Sequence, residues 1–249
     1  MTAAGVVLEA RALPTAAARR QAGRTPRTLH DHATWWLLVI VLVTVAGFTP
    51  SLTTRRGALD WAHAVHGGAS VAWLLLLVAQ SELARRGLTR GHRQLALVGV
   101  GCALVMCMSA VPMLQALAAA VTAADAVPAR AAVPRFLLRL DFGLLACLLG
   151  LLAVALSQVR NRARHARVMA ATALLALPAG LGRWAMRLLD LDPIGGSLVA
   201  LGLGALWLMA LAYSDARAGV RDRVYGSLAA ALGAIAVLAF TGARVVTPS

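Results

Sequence analysis

The sequence predicts an all-α integral membrane protein, a bundle of seven transmembrane helices. First, 60% of the 249 residues are hydrophobic and only 14% are charged, against about 45–50% and roughly 25% in soluble domains. Second, the mean hydropathy is +0.75. Third, the apolar residues fall into seven runs near the roughly 20 residues that cross a bilayer. This composition excludes a disordered chain, a collagen, a coiled coil and an ordinary soluble enzyme.

Each apolar run is interpreted as one span, with boundaries set by polar or Pro residues. Pro112 predicts that the third span kinks or ends early. Pro128 and Pro134 leave open whether residues 113–134 form an extra surface helix. The first run follows a long leader and has no A-x-A site directly after Phe48, so we expect an uncleaved span. The spans are residues 34–49, 66–84, 94–120, 136–157, 168–188, 195–213 and 224–243.

The basic residues predict the orientation of the bundle. All 24 are Arg, and the net charge is +14. They lie in clusters between apolar runs rather than on one continuous face, which argues against nucleic acid as a partner. The N-terminal tail and the loops at 85–93, 160–167 and 217–223 hold twice as many arginines as the other side. The positive-inside rule therefore predicts a multi-pass protein with a cytoplasmic N-terminus and an external C-terminus.

Three domains follow from this division. Residues 1–33 form an Arg-rich cytoplasmic tail, residues 34–243 the seven-helix transmembrane domain, and residues 244–249 a short external tail. The three Cys lie inside apolar runs, and their odd number cannot close a disulfide framework. No P-loop, H-E-x-x-H or C-x-x-C-H motif is present, so nucleotide hydrolysis, zinc proteolysis and c-type haem attachment have no support.

The three predicted cytoplasmic loops are similar to one another. They read Glu82-LARRGLTRGHRQ, Ser157-QVRNRARHARV and Asp215-ARAGVRDRV. Each turns through an Arg-rich segment and continues with His92, His165 or Asp222. This pattern favours three parallel helical hairpins, made of spans 2–3, 4–5 and 6–7, with an added N-terminal span.

Several of these residues form a recognisable set of motifs. His66, Trp73 and Gln80 follow the spacing H-x6-W-x6-Q, His92-Arg93 begins the third span, and His165-x-Arg167 begins the fifth. The chain resembles a family of uncharacterised bacterial polytopic inner-membrane proteins with the patterns H-x6-W-x6-Q, H-R-x-L-G and H-x-R-L-M. The resemblance covers about residues 60–230. Members often have His where this chain has Asp222, and such His patterns have suggested haem.

The paired histidines are the candidate cofactor ligands. His92 and His165 both lie at the cytoplasmic start of a span, at similar depth. Two imidazoles there could hold the iron of haem b, with Arg93 and Arg167 near the propionates. Arg90 and Arg164 are further cations for the same role. The alternative is that both histidines are interfacial residues of Arg-rich loops.

A second polar cluster is predicted on the external side. It consists of His66, Asp141, Arg139 and Arg183, and Asp141 stands inside an apolar run. An ionisable residue at membrane depth is expected to be paired, with Arg139 or Arg183 as partner. The cluster could be a pocket for a quinone headgroup, an anion or a proton. The alternative is an ion pair that fixes helix register.

The preferred function is haem b binding in the membrane, serving electron transfer or haem handling. The expected partners are the lipid bilayer and a quinone or a redox protein. One alternative is a non-catalytic accessory or assembly protein. Another is a small-molecule transporter, for which only Pro112 and Pro178 suggest broken helices. An acid–base enzyme would depend on Asp141 and His66.

Overall fold

The computed structural model describes residues 28–54, 60–124 and 128–244, and within these ranges the chain is helical and contains no strand. Seven segments are long and apolar enough to cross a membrane. The prediction of an all-α seven-helix bundle is therefore confirmed. After a 3-10 turn at Leu29–His32, the helices are α1 Ala33–Thr54, α2 Trp61–Arg85, α3 Thr89–Ala124, α4 Pro128–Ser157, α5 Arg162–Thr172, α6 Leu177–Leu188, α7 Pro193–Arg217 and α8 Val224–Arg244.

Most of the helices are longer than the apolar runs that predict them. The extra turns are polar, and three of them begin at a side chain that caps the helix. Such a cap satisfies a backbone amide that would otherwise lack a partner at the helix start. The capping side chains are Asp60 before α2, Asn161 before α5 and Asp192 before α7.

The structure settles the question of residues 113–134 within its described range. Helix α3 continues through Pro112 as far as Ala124, and α4 begins at Pro128 and continues through Pro134. The segment thus extends two spanning helices instead of forming a separate surface helix. Helix α3 packs against both α2 and α4, and this packing supports a helix that a Pro alone would weaken.

The fifth span lies at the centre of the bundle. It consists of α5, a 3-10 turn at Ala173–Ala176, and α6. In this span 61% of the residues are buried, against 17–39% in the other six. Pro178 lacks the amide that would bond the carbonyl of Leu174, and the amide of Leu177 takes that bond instead. The tighter turn keeps the span helical.

Glycines allow α6 to touch both of its neighbours at the backbone. A Cβ on Gly180 would lie 2.7 Å from Thr44 Cα of α1. A Cβ on Gly196 of α7 would lie 2.8 Å from the carbonyl oxygen of Gly182. Close packing through small residues is a common way for helices to associate in lipid, where no hydrophobic force draws them together.

The three predicted hairpins are each a packed pair of neighbours, namely α2–α3, α4–α5 and α7–α8. Two of their loops share one turn: Gly87 and Gly219 have φ of 70° and 76°. In both, the residue after the glycine bonds back to a carbonyl five residues earlier, as in a Schellman cap. The loop before α5 uses Asn161 instead. That the hairpins are copies of one repeat stays a prediction.

The bundle has two chemically different ends. The Arg-rich end contains the starts of α1, α3, α5 and α8 and the ends of α2, α4 and α7. The opposite end contains the starts of α2, α4 and α7 and the ends of α1, α3, α6 and α8, and the junction of α5 with α6 lies within the fifth span. Between them, large apolar side chains face outward along the helices, as expected for contact with lipid. They include Val39, Leu42, Leu97, Leu104, Met108, Leu206 and Leu238.

Candidate functional site

The motif residues of α2 make a line of contacts along one side of that helix. Near the opposite end, His66 Nδ1 lies 3.1 Å from the carbonyl oxygen of Met106. Trp73 Nε1 donates to Thr172 Oγ1 at 3.2 Å. Near the Arg-rich end, Gln80 Nε2 donates to the carbonyl oxygen of His92 at 3.1 Å. The line therefore joins α2 to α3 and to the central fifth span.

The two candidate ligands have different local environments. His165 Nδ1 lies 2.9 Å from the carbonyl oxygen of Ala155 in α4, so this nitrogen carries the proton and donates. The Nε2 atom of His165 is then the acceptor. His92 Nδ1 is buried and has no hydrogen-bond partner among the described residues, and the same holds for the neighbouring Gln80 Oε1.

The helices that carry these histidines belong to a ring of four. Helix α2 contacts α3 and α5, and α4 contacts α3 and α5. Within the described chain α3 and α5 are not among the closely packed pairs, so His92 and His165 lie on diagonal helices. The haem interpretation requires the third and fifth spans to pack together, and the contacts of the described residues do not include such packing. The pairing of His92 with His165 therefore stays a prediction.

The two arginines predicted for the cofactor differ in their surroundings. Arg93 is exposed, as are Arg90 and Arg164. Arg167 is buried and its guanidinium is occupied by Asp215 of α7. The Nε atom lies 2.6 Å from Asp215 Oδ2, and Nη2 lies 3.2 Å from Oδ1. The exposed arginines are therefore the cations that remain available for an anionic group.

The Arg167–Asp215 pair is the most deeply buried ion pair among the described residues. Their side chains are only 8% and 1% exposed. Removing two charges from water is expensive, and the bidentate geometry is what offsets that penalty. The pair therefore fixes the start of the central span against the end of α7.

A second buried bond lies beside this ion pair. His30 Nδ1 and the Tyr225 hydroxyl are 2.6 Å apart, and the Tyr225 side chain is buried at the start of α8. The Leu29 amide donates to Ser214 Oγ at 2.9 Å. These bonds dock the 3-10 turn that precedes α1 onto the ends of α7 and α8.

The sequence interpretation did not single out His30, Asp215 and Tyr225 as a cluster. The available signal was Asp215, an acidic residue at the end of an apolar run. Such a residue needs a cation of its own, and Arg167 begins the central span at the same end of the bundle. The pairing joins residues 48 positions apart, which no local spacing rule predicts.

At the opposite end the structure brings some of the predicted cluster together. Asp141 lies within electrostatic range of Arg183, and the Arg183 guanidinium stacks 3.8 Å from the centre of the Phe48 ring. Arg183 Nη1 also donates to the carbonyl oxygen of Ala179 at 2.7 Å. The Arg139 guanidinium lies directly over Gly242 of α8, in the space that a Cβ there would fill.

His66 takes a different environment from the rest of that cluster. Its Nδ1 is shared between the Met106 carbonyl and Ser109 Oγ, at 3.1 Å and 3.3 Å. No contact with Asp141 is among its interactions in the described chain. The acid–base pair of Asp141 and His66 stays a prediction without a geometric basis.

His63 belongs to the helix cap at Asp60. The His63 amide donates to Asp60 Oδ1 at 2.9 Å, and its ring Nδ1 lies 2.8 Å from the same oxygen. These two bonds, the backbone bond foremost, lower the pKa of the Asp60 carboxyl below its usual range. The group lies between the first two spans and is exposed.

Within the described residues no group of three or more His, Cys, Asp or Glu side chains is arranged to hold a metal ion. Comparison of the chain with family models, curated proteins and solved structures finds no match. The fold and the site define a multi-pass helical membrane protein, with a pair of histidines and a buried ion pair at its Arg-rich end.

Proposed function

We propose that this membrane bundle binds haem b between His92 and His165 and serves electron transfer or haem handling. The observation that carries the proposal is the complementary state of the two imidazoles. One has a ring nitrogen fixed by a backbone carbonyl, and the other has a buried ring nitrogen that lacks a partner. Both lie at the Arg-rich end, on diagonal helices of the α2–α5 ring.

His165 has the hydrogen bond that an iron-ligating histidine usually has. Metal-bound imidazoles almost always donate the other ring N–H to a carbonyl or carboxylate, which fixes the tautomer and the orientation of the ring. In His165 the donor is Nδ1 and the acceptor is the Ala155 carbonyl. The Nε2 lone pair is thereby the one available to a metal.

His92 supplies the test of fit. A buried polar atom without a partner costs about 1–3 kcal/mol, so its presence calls for a missing ligand. An iron bound by His92 Nδ1 would provide the partner that this atom lacks. Haem held there would supply one-electron redox chemistry. The protein's part is to orient the imidazoles, exclude water and place Arg90, Arg93 and Arg164 near the propionates.

The proposal is tested by a dithionite-reduced minus oxidised difference spectrum of the purified protein, expressed with ample haem. We expect the α band of a bis-imidazole haem b. His92→Ala and His165→Ala should each abolish the band. The matched control is His63→Ala, because His63 is exposed and its bonds among the described residues are to Asp60 of the helix cap, and this variant should keep the band.

A normal spectrum from either ligand variant would reject the pair. Absence of the band from the wild type would leave the non-catalytic accessory protein as the function to pursue. A transporter has less support, because the tightened turn in the fifth span remains helical and does not provide unwound backbone at mid-span. If haem is bound, we propose a quinone or a redox protein as the electron partner.

We also infer the location and orientation from the arginines. The Arg-rich end is proposed to face the cytoplasm of a bacterium, as in the inner-membrane family that the motifs resemble. In a variant lacking Cys102, Cys107 and Cys147, a cysteine at Leu88 should be labelled only from the cytoplasm. A cysteine at Leu189 should be labelled only from outside. The opposite labelling pattern would reverse the orientation.

A further inference from the structure

A cavity of about 390 Å³ opens beside the start of α1 at the Arg-rich end. Its lining combines two opposite charges with an aromatic ring. Arg85 comes from the end of α2, and Asp31 and His32 come from the 3-10 turn before α1. Thr34 and Trp35 complete the wall. The Trp35 ring is 69% exposed, as expected of an aromatic side chain at the membrane interface.

The positive side of this interfacial cavity is Arg85, and its charge is only partly neutralised, because Arg85 shares its one carboxylate partner with Arg86. Glu82 accepts from Arg85 Nε at 2.7 Å and from Arg85 Nη2 at 2.6 Å. The same carboxylate also accepts from Arg86 Nε at 2.5 Å. One carboxylate thus faces two guanidinium groups, and Arg85 Nη1 makes no hydrogen bond within the described residues.

The negative wall is Asp31. Its Oδ2 atom accepts from the Thr28 amide at 2.6 Å and from Thr28 Oγ1 at 3.3 Å. Its Oδ1 atom accepts no bond from any part of the chain that the structure describes. Asp31 and Arg85 line the same cavity without forming an ion pair with each other. The space between them therefore suits a ligand that carries both charges.

We propose that the interfacial cavity binds the headgroup of a phospholipid that carries a primary ammonium, phosphatidylethanolamine. The phosphate is placed on Arg85, and the ammonium on Asp31. Phosphate and carboxylate are both groups with which these partners make strong, charge-assisted hydrogen bonds. A glycerol headgroup has no cation for Asp31, whose charge would repel the phosphate. The site thus prefers the ethanolamine lipid over phosphatidylglycerol.

The surface below the cavity favours a lipid rather than a soluble phosphate. Trp35, Val39 and Leu42 are exposed on α1 at 69%, 56% and 59%. Positions i, i+4 and i+7 lie on one side of a helix. They form an apolar track that leads from the cavity along the spanning part of α1, and this track suits an acyl chain. The Thr34–Ser81 bond of 3.0 Å holds α1 and α2 together beside it.

Native mass spectrometry of the purified protein tests the proposal. The protein is equilibrated with equal amounts of phosphatidylethanolamine and phosphatidylglycerol with identical acyl chains, and the bound ratio is measured. The wild type should retain the ethanolamine lipid preferentially. This preference distinguishes the proposed site from non-specific attraction, because an Arg-rich surface by itself would favour the anionic phosphatidylglycerol. A wild type that retains mainly phosphatidylglycerol would overturn the proposal.

Two variants assign the charges. Asp31→Asn keeps the acceptor for Thr28 but removes the charge, and the preference for the ethanolamine lipid should fall about fivefold, the effect of one charge near a membrane surface. Arg85→Gln should lower the retention of both lipids. The matched control is Arg90→Gln, an equal loss of charge at an exposed residue of the same end that does not line the cavity.

Three further results would overturn the lipid proposal. An unchanged lipid ratio in Asp31→Asn, or an effect of Arg90→Gln as large as that of Arg85→Gln, would overturn the proposal. Glycerophosphoethanolamine, the same headgroup without chains, should bind at least about tenfold more weakly than the lipid. Equal binding would make the cavity a site for a soluble ligand and would refute the lipid. Size-exclusion elution at the wild-type volume verifies that each variant is folded.

Discussion

The two ends of the bundle hold their helices together in different ways. At the Arg-rich end, polar side chains are buried and bond to one another, as in Arg167–Asp215 and His30–Tyr225. Toward the opposite end, α6 touches its neighbours through glycine backbone, and arginines bond to carbonyls or stack on a ring. At the Arg-rich end, buried polar side chains determine which helices pair, because each needs a bonding partner. At the contacts of α6, the pairing of helices is determined by the close fit of their backbones.

This difference teaches where function can be built. A buried polar atom that lacks a partner calls for an explanation, and among the described residues of the Arg-rich end His92 Nδ1 and the neighbouring Gln80 Oε1 are two such atoms. At the opposite end, the charged groups of Arg183 and Arg187 already use backbone carbonyls. That end is consistent with a structural role for its arginines, one of the two alternatives that their spacing left open.

The largest effect is expected from breaking the buried ion pair. Asp215→Leu leaves the Arg167 guanidinium buried without its carboxylate, which should lower the free energy of unfolding by about 3–5 kcal/mol. Unfolding in mixed micelles of dodecyl maltoside and SDS measures the change. Adding Arg167→Met should restore most of the loss, because a well-packed apolar pair often replaces a buried ion pair without penalty.

The control for that prediction is the exposed ion cluster on α2. Glu82→Ala removes a carboxylate that bonds two exposed arginines, and we expect little change in stability because solvent screens such pairs. A loss from Glu82→Ala as large as that from Asp215→Leu would mean that burial does not distinguish the two pairs.

The next effect is steric and belongs to the other half of the bundle. Gly180→Val places a branched side chain against the Thr44 backbone, where a Cβ already approaches Cα to 2.7 Å. Overpacking of this kind should lower the free energy of unfolding by about 1–3 kcal/mol. Gly202→Val is the matched control, since among the described residues no atom outside the neighbouring backbone of its own helix lies within 4 Å of its Cβ position. Equal losses in the same unfolding assay would show that α1 and α6 do not depend on close approach.

A smaller effect should follow from removing one hydroxyl at the Arg-rich end. Tyr225→Phe deletes the partner of His30 Nδ1 in a buried site, and the expected loss in the free energy of unfolding is about 1 kcal/mol. Tyr213→Phe serves as control, because the Tyr213 side chain is 63% exposed and its hydroxyl receives only a long bond from Arg217. A loss in the control that matches Tyr225→Phe would argue that the buried bond contributes nothing specific.

The sequence predicts the number, order and approximate extent of the spans, because lipid requires about 20 apolar residues for each crossing. It does not predict the helix ends, because capping by Asp60 or Asn161 depends on local backbone geometry. It also does not predict which span is central. The fifth span is central because Gly180, Gly182 and Gly196 let α6 approach two neighbours at once.

The sequence predicts which residues lie at the candidate site, but it does not predict which of them bond to each other. His92 and His165 begin spans at one end, which follows from counting the crossings. The partner of Arg167 is a different matter, because Asp215 lies on another helix and meets it only through the tertiary fold. The Arg-rich end has several arginines, and the sequence does not indicate that Arg167 is the buried one.

The smallest predicted effect concerns the cap of α2 at Asp60. The bonds from His63 stabilise the Asp60 carboxylate and lower its pKa below the ordinary 3.8. The folded protein therefore gains this stabilisation in full above pH 3.8, and loses it as the pH falls through the lower pKa of the folded state. We expect the His63 backbone amide to lose protection from hydrogen exchange over that acidic interval.

Asp60→Asn separates the cap from its charge. Asparagine caps a helix about as well as aspartate but does not titrate, so in this variant the protection of the His63 amide should not fall over the same interval. If wild type and variant lose protection at the same pH, the Asp60 carboxylate is not responsible for the loss. A difference confined to the first turn of α2 would instead show that this exposed cap acts locally, because its charge is screened by solvent.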